Sequence, residues 1–64
     1  LRNVFVALIS EACFEVRDLE GVFDIDGKDI STDFLNYDQL VLFKGSNSEV
    51  LVRTEDIIFV KFDK

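Results

Sequence analysis

SEACFEVRDLEGVFDIDG, Ser10 to Gly27, decides the fold, because it reads in two ways. As a helix, Ser10 caps the N-terminus, Gly21 stands just past the C-terminus, and Ala12, Val16 and Leu19 share a face. Phe14 then points to the opposite side, and after Arg17 and Asp18 a single apolar residue remains. As strands, Phe14 and Val16 alternate with Glu15 and Arg17, DLEG turns the chain into VFDI, and DG turns it again. The misplaced Phe14 favours the hairpin, with a helix at about residues 11–20 as the alternative.

The flanking stretches speak for strands. NVFVALIS is rich in branched and aromatic residues and apolar on both faces. Near the C-terminus, QLVLFK (39–44), SEVLVR (48–53) and DIIFVKF (56–62) are three short apolar runs. GSNS suits a hairpin loop between the first two, and TE a tight connection before the third, which predicts a three-stranded antiparallel meander. In the last run Ile58, Val60 and Phe62 share one face, and Ile57, Phe59 and Lys61 the other. STDFLNYDQ predicts one helical turn capped by Ser31, Thr32 or Asp33, with Phe34, Leu35 and Tyr37 reaching inward. Closely spaced strands with short turns predict a mainly β fold. Its expected form is a small, strongly bent antiparallel sheet or partly open barrel, similar in architecture to SH3-like or OB-like folds. The helical reading of 11–20 would make it α+β instead.

Sixty-four residues make one small domain, 1–64, expected to be trimmed or excised from a longer chain since it begins at leucine and lacks methionine. A chain of about 60 residues buries only about 60% of the surface it exposes when unfolded. One cysteine allows no internal disulfide, and no histidine or second thiol offers zinc a ligand set. Stability must therefore come from the 48% of hydrophobic residues, seven of them phenylalanine, completed where needed by a second chain in a homodimer. A single thiol and the lack of a signal-like segment point to a reducing, cytoplasmic setting. The longest uncharged run, residues 3–10, is far short of a membrane span.

The net charge of −6 is unevenly placed. Residues 11–38 hold nine acids against Arg17 and Lys28, while the rest of the chain holds four acids and five bases. Direct binding of nucleic acid or an anionic membrane needs the opposite sign, so a protein partner with a basic surface is the expected ligand.

Several chemistries fail on the residues themselves. Counted from Asp24 as an EF-hand, the fifth position is Lys28, the sixth Asp29 and the twelfth Leu35, where oxygen ligands, glycine and glutamate are required. Carboxylate acid–base work needs a shielding cleft of about 300 Å³ or more, for which so short a chain has little room. Cys13 lacks a histidine partner and is expected as a small buried hydrophobe. The three glycines stand alone at turns and make no phosphate loop. No catalytic residue, cofactor or metal site is therefore assigned.

Two surfaces remain as candidates. Asp24, Asp26, Asp29, Asp33 and Asp38 form an acidic contact set, read against the plain alternative of solvated turns. Ile57 and Phe59, with Leu40 or Leu42, form an exposed apolar patch unless the short helix covers them. The expected function is a non-catalytic interaction or regulatory module, of the kind found in bacteria or phage, acting through an apolar patch with an acidic rim. An acidic DNA-mimic inhibitor of a nucleic-acid-binding protein is one alternative, and a structural homo-oligomer subunit the other.

Overall fold

In the computed structural model, which describes residues 2–36 and 38–63, the ambiguous stretch is one long strand. The chain runs β1 (Arg2–Leu8), β2 (Cys13–Phe23), a 3-10 turn (Phe34–Asn36), β3 (Leu40–Gly45), β4 (Glu49–Arg53), a second 3-10 turn (Thr54–Asp56) and β5 (Ile57–Asp63). All five strands lie antiparallel in one open sheet, in the order β4-β3-β2-β1-β5. The protein is mainly β, and helix among the described residues is confined to the two 3-10 turns. None of the described helices is long and apolar enough to cross a membrane.

The helix at 11–20 does not form, and DLEG is not a turn. Asp18 takes a left-handed conformation, φ 52°, which inserts a bulge and lets the strand bend without ending. The register against β1 slips there, between Arg2–Leu19 and Val4–Val16, and a second slip follows against β3, between Leu19–Gly45 and Gly21–Lys44. The Asp18 N–H donates to Asn3 Oδ1 at 3.1 Å, so β1 itself holds the bulge. Gly45 is the matching piece on β3. A Cβ there would lie 2.5 Å from both the Arg17 carbonyl oxygen and Val16 Cγ1, so only glycine lets β3 approach the bend.

The expected meander holds for its first two strands only. β3 and β4 pair from Leu40–Arg53 to Lys44–Glu49, joined by a tight loop in which the Gly45 N–H donates to the Ser48 carbonyl at 2.8 Å. β5 does not return to β4. The 3-10 turn at Thr54–Asp56 carries the chain across to β1, where Ile9 N–H donates to the Asp56 carbonyl at 2.8 Å. β5 then runs along β1 from Leu8–Ile57 to Asn3–Asp63. The apolar runs are indifferent to which neighbour they take, and β1 is apolar enough to serve as a central strand.

One face of the sheet is the core. Val4, Val6, Val16, Val22, Val41 and Phe43 are fully buried there, with Val52 nearly so. The segment between β2 and β3 covers this face with two apolar pegs, Ile30 and Phe34. Phe34 meets Phe43 edge-to-face at 5.3 Å, and Phe14 meets Phe43 in the same manner at 5.6 Å. Leu35, expected inward, is 56% exposed because the 3-10 turn has room for one inward side chain. Tyr37 lies outside the described residues.

Candidate interaction surfaces

Among the described residues the opposite face of the sheet carries no helix, since the Phe34–Asn36 turn sits on the core side. The cross-strand register assigns its residues. Phe5 stands between Glu15 on β2 and Lys61 on β5, and Ala7 between Cys13 and Phe59. The Phe5 and Phe59 rings lie 6.1 Å apart, and Phe59 is 48% exposed. A recess beside them is lined by Phe5, Glu15, Phe59, Lys61 and Asp63. A second outer patch lies across β2, β3 and β4, where Phe23, Leu42 and Leu51 are in register and Leu51 is 58% exposed. Its recess is lined by Phe23, Asp24, Ile25, Leu42, Lys44 and Glu49. Between the two patches β2 is polar, with exposed contacts Arg17–Glu15 at 3.5 Å and Lys44–Glu20 at 4.0 Å, each contributing little to stability.

The two apolar residues singled out from sequence part company. Phe59 is on the outer face, but Ile57 packs against the core cluster. The cause is a register slip between Ala7 and Leu8, which pairs Leu8 with Ile57 and leaves Ile58 62% exposed. Cys13, expected buried, is exposed on the outer face. Phe14 and Val16 take the inward positions of β2, and strand alternation sends Cys13 outward beside Ala7.

The five aspartates are not equivalent. Asp24 organises a tight turn: its Oδ1 accepts from the N–H groups of Asp26 and Lys28, both at 2.9 Å. Gly27, φ 86°, closes that turn by donating to the Asp24 carbonyl at 3.0 Å. Asp29 Oδ1 accepts from the Ser31 hydroxyl at 2.6 Å and the Ser31 N–H at 2.9 Å. These two bonds, the hydroxyl first, hold its carboxyl below the ordinary aspartate range. The Ser31 Oγ in turn accepts from the Val22 N–H at 2.9 Å, tying the acidic segment to β2. Asp33 is half-buried, and its backbone carbonyl accepts from Asn36 N–H at 2.9 Å. Asp26 and Asp38 are exposed.

Asp24 thus borders the Phe23–Leu42 recess, whereas the acids beside Phe59 are Glu15 and Asp63. Sequence reasoning missed both. Glu15 could have been found from strand alternation, since it faces away from Phe14 and Val16. Asp63 needed the β1–β5 pairing. Among the described residues no group of three or more His, Cys, Asp or Glu side chains is placed to hold a metal ion. No protein-family model matches the chain, nor does any curated protein or solved structure.

Proposed function

We propose that the protein is a non-catalytic interaction module that binds a protein with a basic surface through the outer face of its sheet. The observation that carries this reading is the paired Phe5 and Phe59, on a face with no covering helix among the described residues and bordered by two carboxylates, Glu15 and Asp63, against one cation, Lys61. Half-exposed aromatic rings at the centre of a patch are the usual anchors of a protein interface, and flanking charges set the partner's sign and the rate of encounter. The lack of any histidine and the isolated position of the one thiol support a role without catalysis. The bend of β2 at Asp18 supports a sheet rolled toward a partly open barrel.

The DNA-mimic reading has less support, because Asp24 and Asp29 are engaged in shaping their own loop.

The test is capture of a partner by the tagged protein and by two variants across a salt series. Phe59→Asp should abolish capture even at low salt, whereas neutralising Asp24, Asp26, Asp29 and Asp33 to Asn should weaken it modestly. The reverse pattern, with steep salt dependence, would favour the mimic. No effect of either change on any association would end the interaction reading.

A further inference from the structure

We propose that β4 is a self-pairing edge through which two copies of the chain form a dimer, strand β4 against strand β4, antiparallel and centred on Leu51.

The backbone supplies the first reason. β4 pairs with β3 on one side and with no other strand among the described residues. The Thr54 N–H donates to the Gln39 carbonyl at 3.0 Å, and Gly45 N–H to the Ser48 carbonyl at 2.8 Å. Strand alternation then directs the peptide groups of Ser48, Val50, Val52 and Thr54 toward β3, and those of Glu49, Leu51 and Arg53 toward the free edge. All three of these residues are exposed, and the strand carries no bulge against β3. An edge without a bulge, with a regular row of outward-directed donors and acceptors, is a template for another strand.

The side chains choose the occupant. A two-fold pairing demands that the strand be complementary to its own reverse. EVLVR, Glu49 to Arg53, meets this: centred on Leu51, it places Glu49 opposite Arg53 of the second copy at both ends, Val50 opposite Val52, and Leu51 opposite itself. The faces match as well. Glu49, Leu51 and Arg53 share the outer face and hold the free peptide groups, while Val50 and Val52 continue the core face across the junction. Arg53 is available for this, its contact with Glu55 being 3.8 Å long with both side chains more than half exposed.

The other edge does not compete. Ile9 N–H donating to the Asp56 carbonyl turns the peptide groups of Phe5, Ala7 and Ile9 toward β5, so β5 spends those of Phe59, Lys61 and Asp63 on β1. Its free groups at Val60 and Phe62 belong to core-face residues and follow an irregular register. They cannot align with the outer-face groups of β4 while keeping the faces matched, and IIFVKFD has no acid–base symmetry about its middle.

The dimer leaves Phe5 and Phe59 open and is independent of the function proposed above. Sedimentation equilibrium of the full chain tests it. The native protein should show a concentration-dependent monomer–dimer equilibrium, and Glu49→Arg or Arg53→Glu should each weaken it about tenfold or more, as two attractive cross-strand pairs become repulsive. Mixing the two variants should restore a dimer containing one of each, because every pair across the junction is then opposite in charge. Circular dichroism of each variant alone confirms that it is folded. A native protein that stays monomeric up to about 1 mM overturns the proposal. So does a dimer indifferent to both substitutions, or folded variants that do not recover on mixing.

Discussion

The sheet and the segment that joins β2 to β3 are held together by different physics. In the sheet, backbone ladders align seven buried apolar side chains from four strands, and each supports its neighbours across the register. In the joining segment, short polar side chains bind nearby backbone: Asp24 to Asp26 and Lys28, Asp29 to Ser31, and Ser31 to Val22. Its apolar hold on the rest of the molecule is two residues, Ile30 and Phe34. The sheet is cooperative, and the segment is a set of local turns pinned by two apolar side chains and by hydrogen bonds of Ile30 and Ser31 to Val22. Changes in the first should propagate, and changes in the second should stay where they are made.

Phe43 and Phe34 test this most severely, because the two rings touch and differ mainly in which region owns them. Phe43→Ala opens a cavity between Phe14, Phe34 and the valines, at a cost of about 3–5 kcal/mol. A chain of this size has roughly 3–10 kcal/mol in all, so the variant should be largely unfolded in a urea titration. Phe34→Ala should cost roughly half as much, since its segment can settle onto the sheet. Hydrogen exchange should then be fast at the amides of the joining segment, including that of Ile30, and slow in the ladders. Equal losses of stability, with protection lost everywhere, would mean the segment is part of the same cooperative unit.

The same contrast should appear at two glycines. At Gly45 the obstacle to a side chain is rigid, the backbone of Arg17 and a buried valine methyl, and Gly45→Ala should cost about 1–3 kcal/mol as β3 is pushed off the bend. At Gly27 there is open space, and the obstacle is the left-handed backbone alone, so Gly27→Ala should cost about 1 kcal/mol. Melting temperatures order the two directly. A larger drop for Gly27→Ala would show that the acidic turn matters more to the fold than the fit of β3 on β2.

The two regions also differ in how far they could be read from the sequence. Alternation and turn chemistry located β1, the GSNS hairpin and the turn at Gly27, because each depends on residues close in sequence. What escaped depends on pairing. Ile57 to Phe62 reads as an apolar strand whether it lies beside β4 or β1, and nothing within it names β1. DLEG carries every local mark of a turn, yet the strand continues through it as a bulge, slipping against β1 at Asp18 and against β3 between Leu19 and Gly21. That bulge in turn decides which residues face the core. The one-residue slip at Leu8 likewise moved Ile57 inward and out of the expected patch. In the acidic segment the clustering was plain, but the division of labour was not. Asp24 and Asp29 differ from Asp26 only by where the neighbouring N–H groups point.

That division has a consequence in acid. Asp29 accepts two hydrogen bonds from Ser31, which favour its ionised form and hold its pKa below the unfolded value of about 3.9. A carboxyl whose pKa is lower when folded contributes stability that is present above the unfolded pKa and is lost as pH falls through the folded one. Asp29→Asn removes this contribution, so the gap in melting temperature between native and variant protein should be widest near neutrality and close below about pH 4. Ser31→Ala should flatten the acid limb in the same way while also freeing the Val22 N–H, so it should lower the melting temperature at every pH. The sheet offers no such handle, since its core is built of valine and phenylalanine. If the native and Asp29→Asn curves run parallel through the acid range, the Asp29–Ser31 bonds are too weak in solution to stiffen the acidic segment. Its attachment to the sheet would then rest on Ile30, Phe34 and the hydrogen bonds that join Ile30 and Ser31 to Val22.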